Sequence, residues 1–213
     1  MIQDEIMKIK AELPPHVRLM AVSKTRTRLE IEQAAAAGID VFGENKVQEL
    51  KEKVHEGDPF EWHMIGHLQT NKVKEAVRLT HLIHSVDSLH LLSAIDQEAA
   101  KQNKCMGVLF QINFANESTK FGFTAQEAPL ALELSKRFKH VQVRGIMSIG
   151  AHSDDEAIIR DSFKQAHEFY EAYKQAYHFD TLSMGMSDDY PLALEYGTTL
   201  IRIGSKIFGE RHK

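Results

Sequence analysis

The sequence predicts an α/β protein, a single (β/α)8 barrel, known as a TIM barrel, with an extra helix at its amino end. Eight short strand-like runs are separated by seven helix-like runs along the chain. Helices between consecutive strands require parallel pairing with right-handed crossovers, and eight parallel strands is the number in a closed barrel. The length of 213 residues is near the lower end of the roughly 200 to 400 residues that such barrels take. We therefore expect residues 1–213 to form one domain with short loops.

The elements follow one another in a regular order after an opening amphipathic helix that has Ile2, Ile6 and Ile9 at helical spacing. The strand-like runs are "RLMAVSKT", "DVFGEN", "FEWHMIGHL", "HLIHSVDS", "CMGVLFQINFA", "VQVRGIMSIG", "TLSMGMS" and "TLIRIGSKIFG". The helix-like runs between them are "RLEIEQAAAAG", "VQELKEKVHEG", "NKVKEAVRLT", "LHLLSAIDQEAAKQN", "AQEAPLALELSKRF", "DEAIIRDSFKQAHEFYEAYKQAYH" and "YPLALEYG". Gly38 is expected to end the first of these helices, and Ser88 is a candidate N-cap of the fourth.

An open, doubly wound sheet is the alternative to the barrel. Such sheets usually carry a glycine-rich fingerprint at the first strand-to-helix turn, and "VSKTRTR" contains no glycine. The strand count and this turn both favour the barrel.

Composition limits the classes of function. The chain has 26 basic and 30 acidic side chains and a net charge of −4, so we expect no nucleic-acid partner. Cys105 is the single cysteine and cannot form an internal disulfide; we expect it to be a small core residue. The first 13 residues are too charged for a signal peptide, and no apolar run is long enough to cross a bilayer. We expect a soluble cytoplasmic protein with no membrane association, and a monomer, since no long apolar stripe is evident.

Lys24 is the first candidate site residue. It follows an apolar strand, and strand alternation puts Met20, Val22 and Lys24 on one face. Binding sites of these barrels lie at the carboxyl ends of the strands. If Met20 and Val22 fill the barrel interior, the Lys24 amine lies at the mouth.

Residues at the ends of later strands suggest what the amine would face. Asn45 ends the second strand with a side chain that both donates and accepts hydrogen bonds. Ser187 ends the seventh, and Gly204 and Ser205 end the eighth, which is where many such barrels hold a phosphate. Arg202 shares a strand face with Gly204. An amine, an arginine and a phosphate site indicate a phosphorylated aldehyde or ketone, because lysine forms Schiff bases with carbonyls.

Less specific interpretations of these residues remain open at this stage. Lys24 can be a solvated rim residue or half of an ion pair, and Arg202 can pair with Glu195. Ser187 and Ser205 can be ordinary turn residues.

His63 and His67 have a spacing that also occurs in metal sites. They lie in a strand-like run and lack the glutamate of the zinc-protease motif. We therefore expect no metal site.

Several motifs resemble those of the pyridoxal-phosphate homeostasis protein family. They are "AVSKT", "FGENKVQE", "WHMIGHLQTNK", "HSVDS" and "LSMGMSDDYPLALEYGTTLIRIGSKIFG", and the resemblance extends from about residue 18 to residue 211. The family is similar in fold to the N-terminal barrel of alanine racemase, so the resemblance implies a barrel of that type.

The resemblance implies a cofactor and a set of binding residues. Lys24 would hold pyridoxal 5′-phosphate (PLP) as an internal aldimine, and Arg202 would lie by the pyridine nitrogen. Ser187, Gly204 and Ser205 would bind the phosphate, and Asn45 and Met184 would line the ring. The family is regarded as carriers or regulators of intracellular PLP that affect amino-acid and keto-acid balance, without established catalysis. Apo forms of PLP-dependent enzymes are the recipients that this role suggests.

Arg202 bears on whether the chain is an enzyme. PLP enzymes that need a strong electron sink place a carboxylate against the pyridine nitrogen, whereas a guanidinium cannot accept a proton. Racemases of this fold use a second domain to supply a tyrosine base, and the chain ends at Lys213, directly after the eighth strand. We therefore expect no robust catalysis. A PLP-dependent racemase or lyase of amino acids is the alternative, and a class I aldolase is a third possibility.

Three segments depart from the family pattern: Lys46 in "FGENK", the run "GIMSIGAHSDD", and the residues around Lys120 and Gly122. None of these changes Lys24 or the phosphate site.

Overall fold

The computed structural model describes residues 1–115 and 121–210, and over these residues the chain forms a closed barrel of eight parallel strands. Each strand pairs with the next, and the first pairs with the last, from Arg18 opposite Leu200 to Ala21 opposite Ile203. The strands are β1 (Arg18–Val22), β2 (Val41–Glu44), β3 (Glu61–Met64), β4 (Leu82–Val86), β5 (Met106–Gln111), β6 (Val141–Met147), β7 (Thr181–Met186) and β8 (Leu200–Ile203). The predicted barrel is confirmed, and closure excludes the open sheet.

Helices follow the strands and surround the barrel. Within the described residues they are α1 (Ile2–Glu12), α2 (Arg28–Ala36), α3 (Val47–Lys53), α4 (Val73–Leu79), α5 (Leu89–Lys101), α6 (Ala128–Ser135), α7 (Glu156–Tyr177), α8 (Tyr190–Glu195) and α9 (Ser205–Phe208). A short 3-10 helix, Thr70–Lys72, precedes α4. The predicted opening helix is α1, which buries Ile6 and Ile9.

Local sequence signals account for several helix ends. Thr27, three residues after Lys24, caps α2 in a reciprocal capping box with Glu30 and so fixes where the helix starts. Ser88 caps α5 by accepting a hydrogen bond from the Leu91 amide at 3.1 Å. Gly38 follows α2 with a φ of 89°, as expected for a glycine that ends a helix.

The core has an outer layer and an interior. The outer layer, between strands and helices, is apolar and continuous, and includes Trp62, Phe42 and Phe163. Inside the barrel, the apolar side chains form two small clusters. One consists of Met20, Val41 and Leu200, and the other of Leu82, Leu109 and Met147. Met20 therefore fills the interior beneath the mouth, as the alternation along β1 predicts.

Two expectations differ from the structure. The run "SKIF", which the sequence pattern assigned to the last strand, is the helix α9, because the backbone turns at Gly204. Cys105 is exposed and precedes β5, so its assignment to the core is wrong. Among the described residues, no helix has the length and apolar character needed to span a membrane. Lys120 lies outside the described residues.

Candidate functional site

A cavity of about 300 Å³ lies at the mouth of the barrel, where the strands end. It brings together side chains and backbone that follow β1, β2, β3, β6, β7 and β8. It is lined by Val22, Lys24, Arg26, Asn45, Ile65, Met147, Ile149, Met186, Ser187, Asp188, Arg202, Gly204, Ser205 and Gly209. Six of the seven residues that the sequence singled out are therefore in one cavity.

Lys24 enters this cavity from the turn between β1 and α2. It is half-buried and lies two residues beyond the last residue of β1. Val22, on the same strand face, also lines the cavity. The barrel thus carries the amine to the mouth, as its position at the end of a strand predicted.

The predicted phosphate-binding residues lie on the two neighbouring strand ends. Ser187 follows β7 and is buried, while Gly204 and Ser205 connect β8 to α9. Because β8 pairs with β1, Gly204 and Ser205 lie next to the strand end that carries Lys24, and Ser187 lines the same cavity. Hydroxyl groups and backbone next to a glycine offer hydrogen-bond donors to an anion.

Arg202, on β8, lines the cavity and is 5% exposed. One terminal nitrogen donates to the Ser183 hydroxyl at 2.7 Å, and the other donates to the Ser148 carbonyl oxygen at 3.0 Å. Burial lowers the pKa of Arg202 to about 10, an effect that nearby Asp189 opposes. The side chain therefore remains a cation at neutral pH, and its two hydrogen bonds fix its position in the cavity wall.

The proposed pairing of Arg202 with Glu195 is wrong. Glu195 is exposed at the end of α8, where its Oε1 accepts a hydrogen bond from Arg160 at 3.1 Å. The acidic group whose charge acts on Arg202 is Asp189, and burial raises the pKa of Asp189.

A chain of hydrogen bonds runs from Arg202 through the barrel interior. Ser183, which accepts from Arg202, lies 3.1 Å from Nδ1 of His84, and Nε2 of His84 lies 3.0 Å from Nδ1 of His63. Nε2 of His63 lies 3.0 Å from Glu61, at the opposite end of the barrel. Burial lowers the pKa of both histidines, and the hydrogen bond from His63 lowers the pKa of Glu61 to about 2. The interior therefore has a polar path from the mouth to the opposite end.

His63 and His67 do not converge on one site. His63 is inside the barrel, whereas His67 is in the loop after β3, stacked on Phe121 at 3.9 Å and hydrogen-bonded to Asp87. Within the described parts of the chain, no group of three or more histidine, cysteine, aspartate or glutamate side chains is arranged to hold a metal ion.

Asn45 and Met184, predicted to contact a ring, have different locations. Asn45 lines the cavity, and its side-chain oxygen is buried and has no hydrogen-bond partner in the described structure. Met184 is fully buried in the outer apolar layer and does not reach the cavity, because neighbouring Ser183 occupies the inward position. Met147 and Met186 line the cavity in its place.

Arg26 is a cavity residue that the sequence interpretation missed. It is 6% exposed, and it donates to the carbonyl oxygens of Phe208 at 3.0 Å and of Gly209 at 2.6 Å. These bonds tie the turn that carries Lys24 to the segment that follows α9. Its position two residues after Lys24 was the only signal available in the sequence.

The residues fit a phosphorylated aldehyde. The cavity offers an amine, a buried cation with fixed donors, two hydroxyls beside a glycine, and an amide oxygen that lacks a partner within the described residues. These groups match a carbonyl, a phosphate and a polar ring.

Known proteins share both the sequence and the fold. The family model described as "Alanine racemase, N-terminal domain" matches residues 1–212. The pyridoxal phosphate homeostasis protein of Helicobacter pylori is 41% identical over 198 residues, which cover 91% of this chain and 88% of that protein.

Solved structures extend the comparison. PipY of Synechococcus elongatus, 34% identical, has been solved without PLP (TM-score 0.93) and with PLP bound (TM-score 0.90), and each match covers 98% of this chain and 100% of PipY. An alanine racemase of Clostridium difficile is 13% identical with a TM-score of 0.83, covering 100% of this chain and 57% of that one, which shows a shared fold. With this extent of matching in sequence and in structure, the chain belongs to the pyridoxal phosphate homeostasis protein family, one branch of the proteins built on the alanine racemase N-terminal domain.

Proposed function

We propose that this protein binds PLP in the mouth cavity through a Schiff base with Lys24 and acts in PLP homeostasis, as a carrier or regulator of intracellular PLP without robust catalysis. The observation that carries the proposal is that Lys24 and the trio Ser187, Gly204 and Ser205 line the same cavity. The names of the curated relatives and the PLP-bound structure of PipY support it.

Each cavity group has a role in this proposal. When bound, PLP supplies an aldehyde that condenses reversibly with a lysine amine, with loss of water. Lys24 is the amine, and Ser187, Gly204 and Ser205 hold the phosphate. Asn45 directs its side-chain oxygen toward the ring, and Met147 and Met186 replace Met184 as the apolar contacts that we propose.

Arg202 accounts for weak chemistry at the site. Its guanidinium is held by Ser183 and by the Ser148 carbonyl, and it only donates hydrogen bonds. Placed opposite the ring nitrogen of PLP, this donor would leave that nitrogen unprotonated and so would weaken electron withdrawal from a bound amino acid. The site therefore favours holding PLP over turning over amino acids.

Release follows from the same groups. An incoming amine can displace Lys24, and the phosphate contacts then remain as the anchor. Charge-assisted hydrogen bonds contribute about 1.5 to 3 kcal/mol each, so two or three of them can retain PLP after the covalent link is broken. Apo PLP-dependent enzymes are the recipients that we propose.

The test is an absorbance scan of the purified protein before and after borohydride reduction, followed by mass spectrometry of the reduced protein. We expect a yellow protein whose colour is lost on reduction, with the PLP mass fixed on Lys24. A protein that stays colourless and takes up no PLP would refute the proposal, and a sugar-phosphate adduct on Lys24 would indicate an aldolase instead.

A second measurement tests the absence of robust catalysis. The PLP-loaded protein is incubated with single amino-acid enantiomers in deuterated water, and α-proton exchange is followed by NMR. We expect slow exchange. Fast exchange with turnover would identify a racemase or lyase.

A further inference from the structure

Three charged side chains form a cluster behind the turn that carries Lys24. Glu44, at the end of β2, is fully buried, and Lys53, at the end of α3, is 8% exposed. The Lys53 ammonium lies 2.8 Å from Oε1 of Glu44 and 2.6 Å from Oε2 of Glu49, one helical turn earlier in α3. Burying charged side chains costs desolvation energy, so we expect this cluster to have a role in the fold.

The cluster contacts the residues on both sides of Lys24. The Ser23 hydroxyl donates to Glu44 at 2.7 Å, and the Ser23 carbonyl accepts from Lys53 at 2.8 Å. The Thr25 amide donates to Glu49 at 2.7 Å. Three charge-assisted hydrogen bonds, two of them to the backbone, therefore hold Ser23 and Thr25, the residues immediately before and after the lysine.

The backbone of this turn needs such support. Thr25 has a φ of 64°, in the left-handed region that β-branched residues avoid. A residue in that region persists only where surrounding contacts fix it. The bond from the Thr25 amide to Glu49 is one of these contacts.

The cluster lies outside the cavity. Among the described residues that line the mouth, Glu44, Glu49 and Lys53 do not appear, whereas Lys24 does. The hydrogen bonds to Ser23 and Thr25 connect the cluster to the turn that carries Lys24.

We propose that Lys53, together with Glu44 and Glu49, positions Lys24 and so sets how quickly the Lys24 Schiff base forms and exchanges. The role in exchange rests on the proposed PLP binding, whereas the role in holding the turn does not. Lys53 is a positioning residue, since it acts through Ser23 and the backbone.

The variant Lys53→Met tests the proposal, and Lys104→Met, at an exposed lysine, is the comparison. Lys104 also donates to backbone carbonyls, those of Val77 at 2.8 Å and of Arg78 at 3.2 Å. These two residues are in the last turn of α4 and do not line the mouth cavity. Both variants lose a lysine that holds backbone, and only one loses contact with the turn.

The first readout needs no cofactor. Hydrogen exchange of residues 23–27 is measured by mass spectrometry on PLP-free protein. We expect exchange about tenfold faster in Lys53→Met, because loss of a charge-assisted bond raises the local opening equilibrium by about that factor. Lys104→Met should match the wild type in this segment. Equal exchange in both variants and the wild type would overturn the proposal.

The second readout uses PLP-loaded protein. The rate at which an excess of free amine removes the Schiff-base absorbance is compared among the variants. We expect a change of about tenfold in Lys53→Met and none in Lys104→Met. A change that is equal in both variants would assign Lys53 a structural role only and overturn its role in exchange. Failure of the wild type to bind PLP would refute the proposed function instead, and the hydrogen-exchange result would still stand.

A pair of substitutions at Glu49 provides a test if Lys53→Met does not fold. Glu49→Gln keeps an oxygen for the Thr25 amide, and Glu49→Ala removes it. We expect faster exchange of residues 23–27 in Glu49→Ala than in Glu49→Gln. The same exchange in both would overturn the claim that the hydrogen bond to Thr25 fixes the turn.

Discussion

At the scale of single residues, the two ends of the interior hydrogen-bond chain fix its direction. Arg202 can only donate, and Glu61, with a pKa of about 2, can only accept near neutral pH. His63 must therefore carry its proton on Nε2, facing Glu61, and so accepts at Nδ1 from the Nε2 proton of His84. Nδ1 of His84 then accepts from the Ser183 hydroxyl, whose oxygen accepts from Arg202. Each of the five side chains in this hydrogen-bond chain therefore has fixed donor and acceptor atoms.

Ser183→Ala tests this chain. The change leaves a donor of Arg202 and an acceptor of His84 without their partner in the interior, and such a loss costs about 1 to 3 kcal/mol. We expect a decrease of that size in the free energy of unfolding, measured by urea denaturation. Ser93→Ala, a partly buried serine on α5, should change it by less than about 0.5 kcal/mol. Equal decreases in the free energy of unfolding of the two variants would mean that the interior hydrogen bonds add nothing to stability.

Lys24→Ala separates the covalent link from the phosphate anchor. Under the proposed function, we expect the Schiff-base absorbance and the borohydride label to disappear. Weak PLP binding should persist, because Ser187, Gly204 and Ser205 are unchanged. Equilibrium dialysis measures the remaining binding, and its complete loss would mean that the phosphate site contributes much less than we propose.

At the scale of elements, β6 depends on a glycine. Register shifts between β5 and β6 so that Val108 faces Val143 and Leu109 faces Gly145, which leaves Arg144 as an extra residue. Gly145 has a φ of 151°, and a Cβ there would lie 1.8 Å from the carbonyl oxygen of Thr181 on β7. The strand can therefore pass this point only without a side chain.

Gly145→Ala should consequently disrupt the barrel. We expect a loss of more than about 4 kcal/mol or a failure to fold, since strain at a special backbone position belongs to the most severe class of substitutions. Thermal unfolding followed by circular dichroism measures it. In Gly107→Ala, on the neighbouring strand, a Cβ would approach the side chains of Arg144 and Leu82 at 3.1 Å, and these can adjust. A mild effect at both glycines would contradict the argument.

The sequence predicted the order of strands and helices well because each strand is a short apolar run bounded by polar turns. The prediction was wrong where the apolar pattern continues past β8, because the buried residues Ile207 and Phe208 belong to the helix α9. It also failed at Met184, which the family resemblance placed on the ring. Alternation could not have settled its position, because the register of β7 shifts between Ser183 and Met186.

Of the candidate site, only residues that line the mouth cavity could be predicted from the sequence. Residues at strand ends can be assigned to the mouth from periodicity alone, which is how Lys24 and Gly204 were found. The supporting residues Glu44 and Lys53 could not be predicted, because they contact each other and Ser23 from different elements of the fold. A charged residue inside the apolar run "DVFGEN" was the one available sign.

At the scale of the whole molecule, the buried histidines make stability depend on pH. Burial holds the pKa values of His63 and His84 below the unfolded value of 6.5. Below about pH 6.5 the unfolded chain gains protons that the folded chain does not, so stability is fully present above this pH and decreases as the pH falls. Each histidine contributes a slope of up to about 1.4 kcal/mol per pH unit.

Urea unfolding at pH values from about 8 to about 5 checks this prediction, with His84→Gln as the comparison. The variant should lose less stability than the wild type over that range, because one of the two titrating groups is gone. Glu44 and Asp189, whose pKa values burial raises, act in the opposite direction and are present in both proteins. Parallel curves for the two proteins would contradict the role of His84.

The pairing of the first strand with the last has a consequence for biosynthesis. Lys24 is synthesised well before β8 and the loop after it. Under the proposed function, a nascent chain carries the reactive amine without the pocket that retains the ligand. Uptake of PLP would then mark a polypeptide whose barrel has closed, and fragments that lack β8 would not withdraw PLP from the cell.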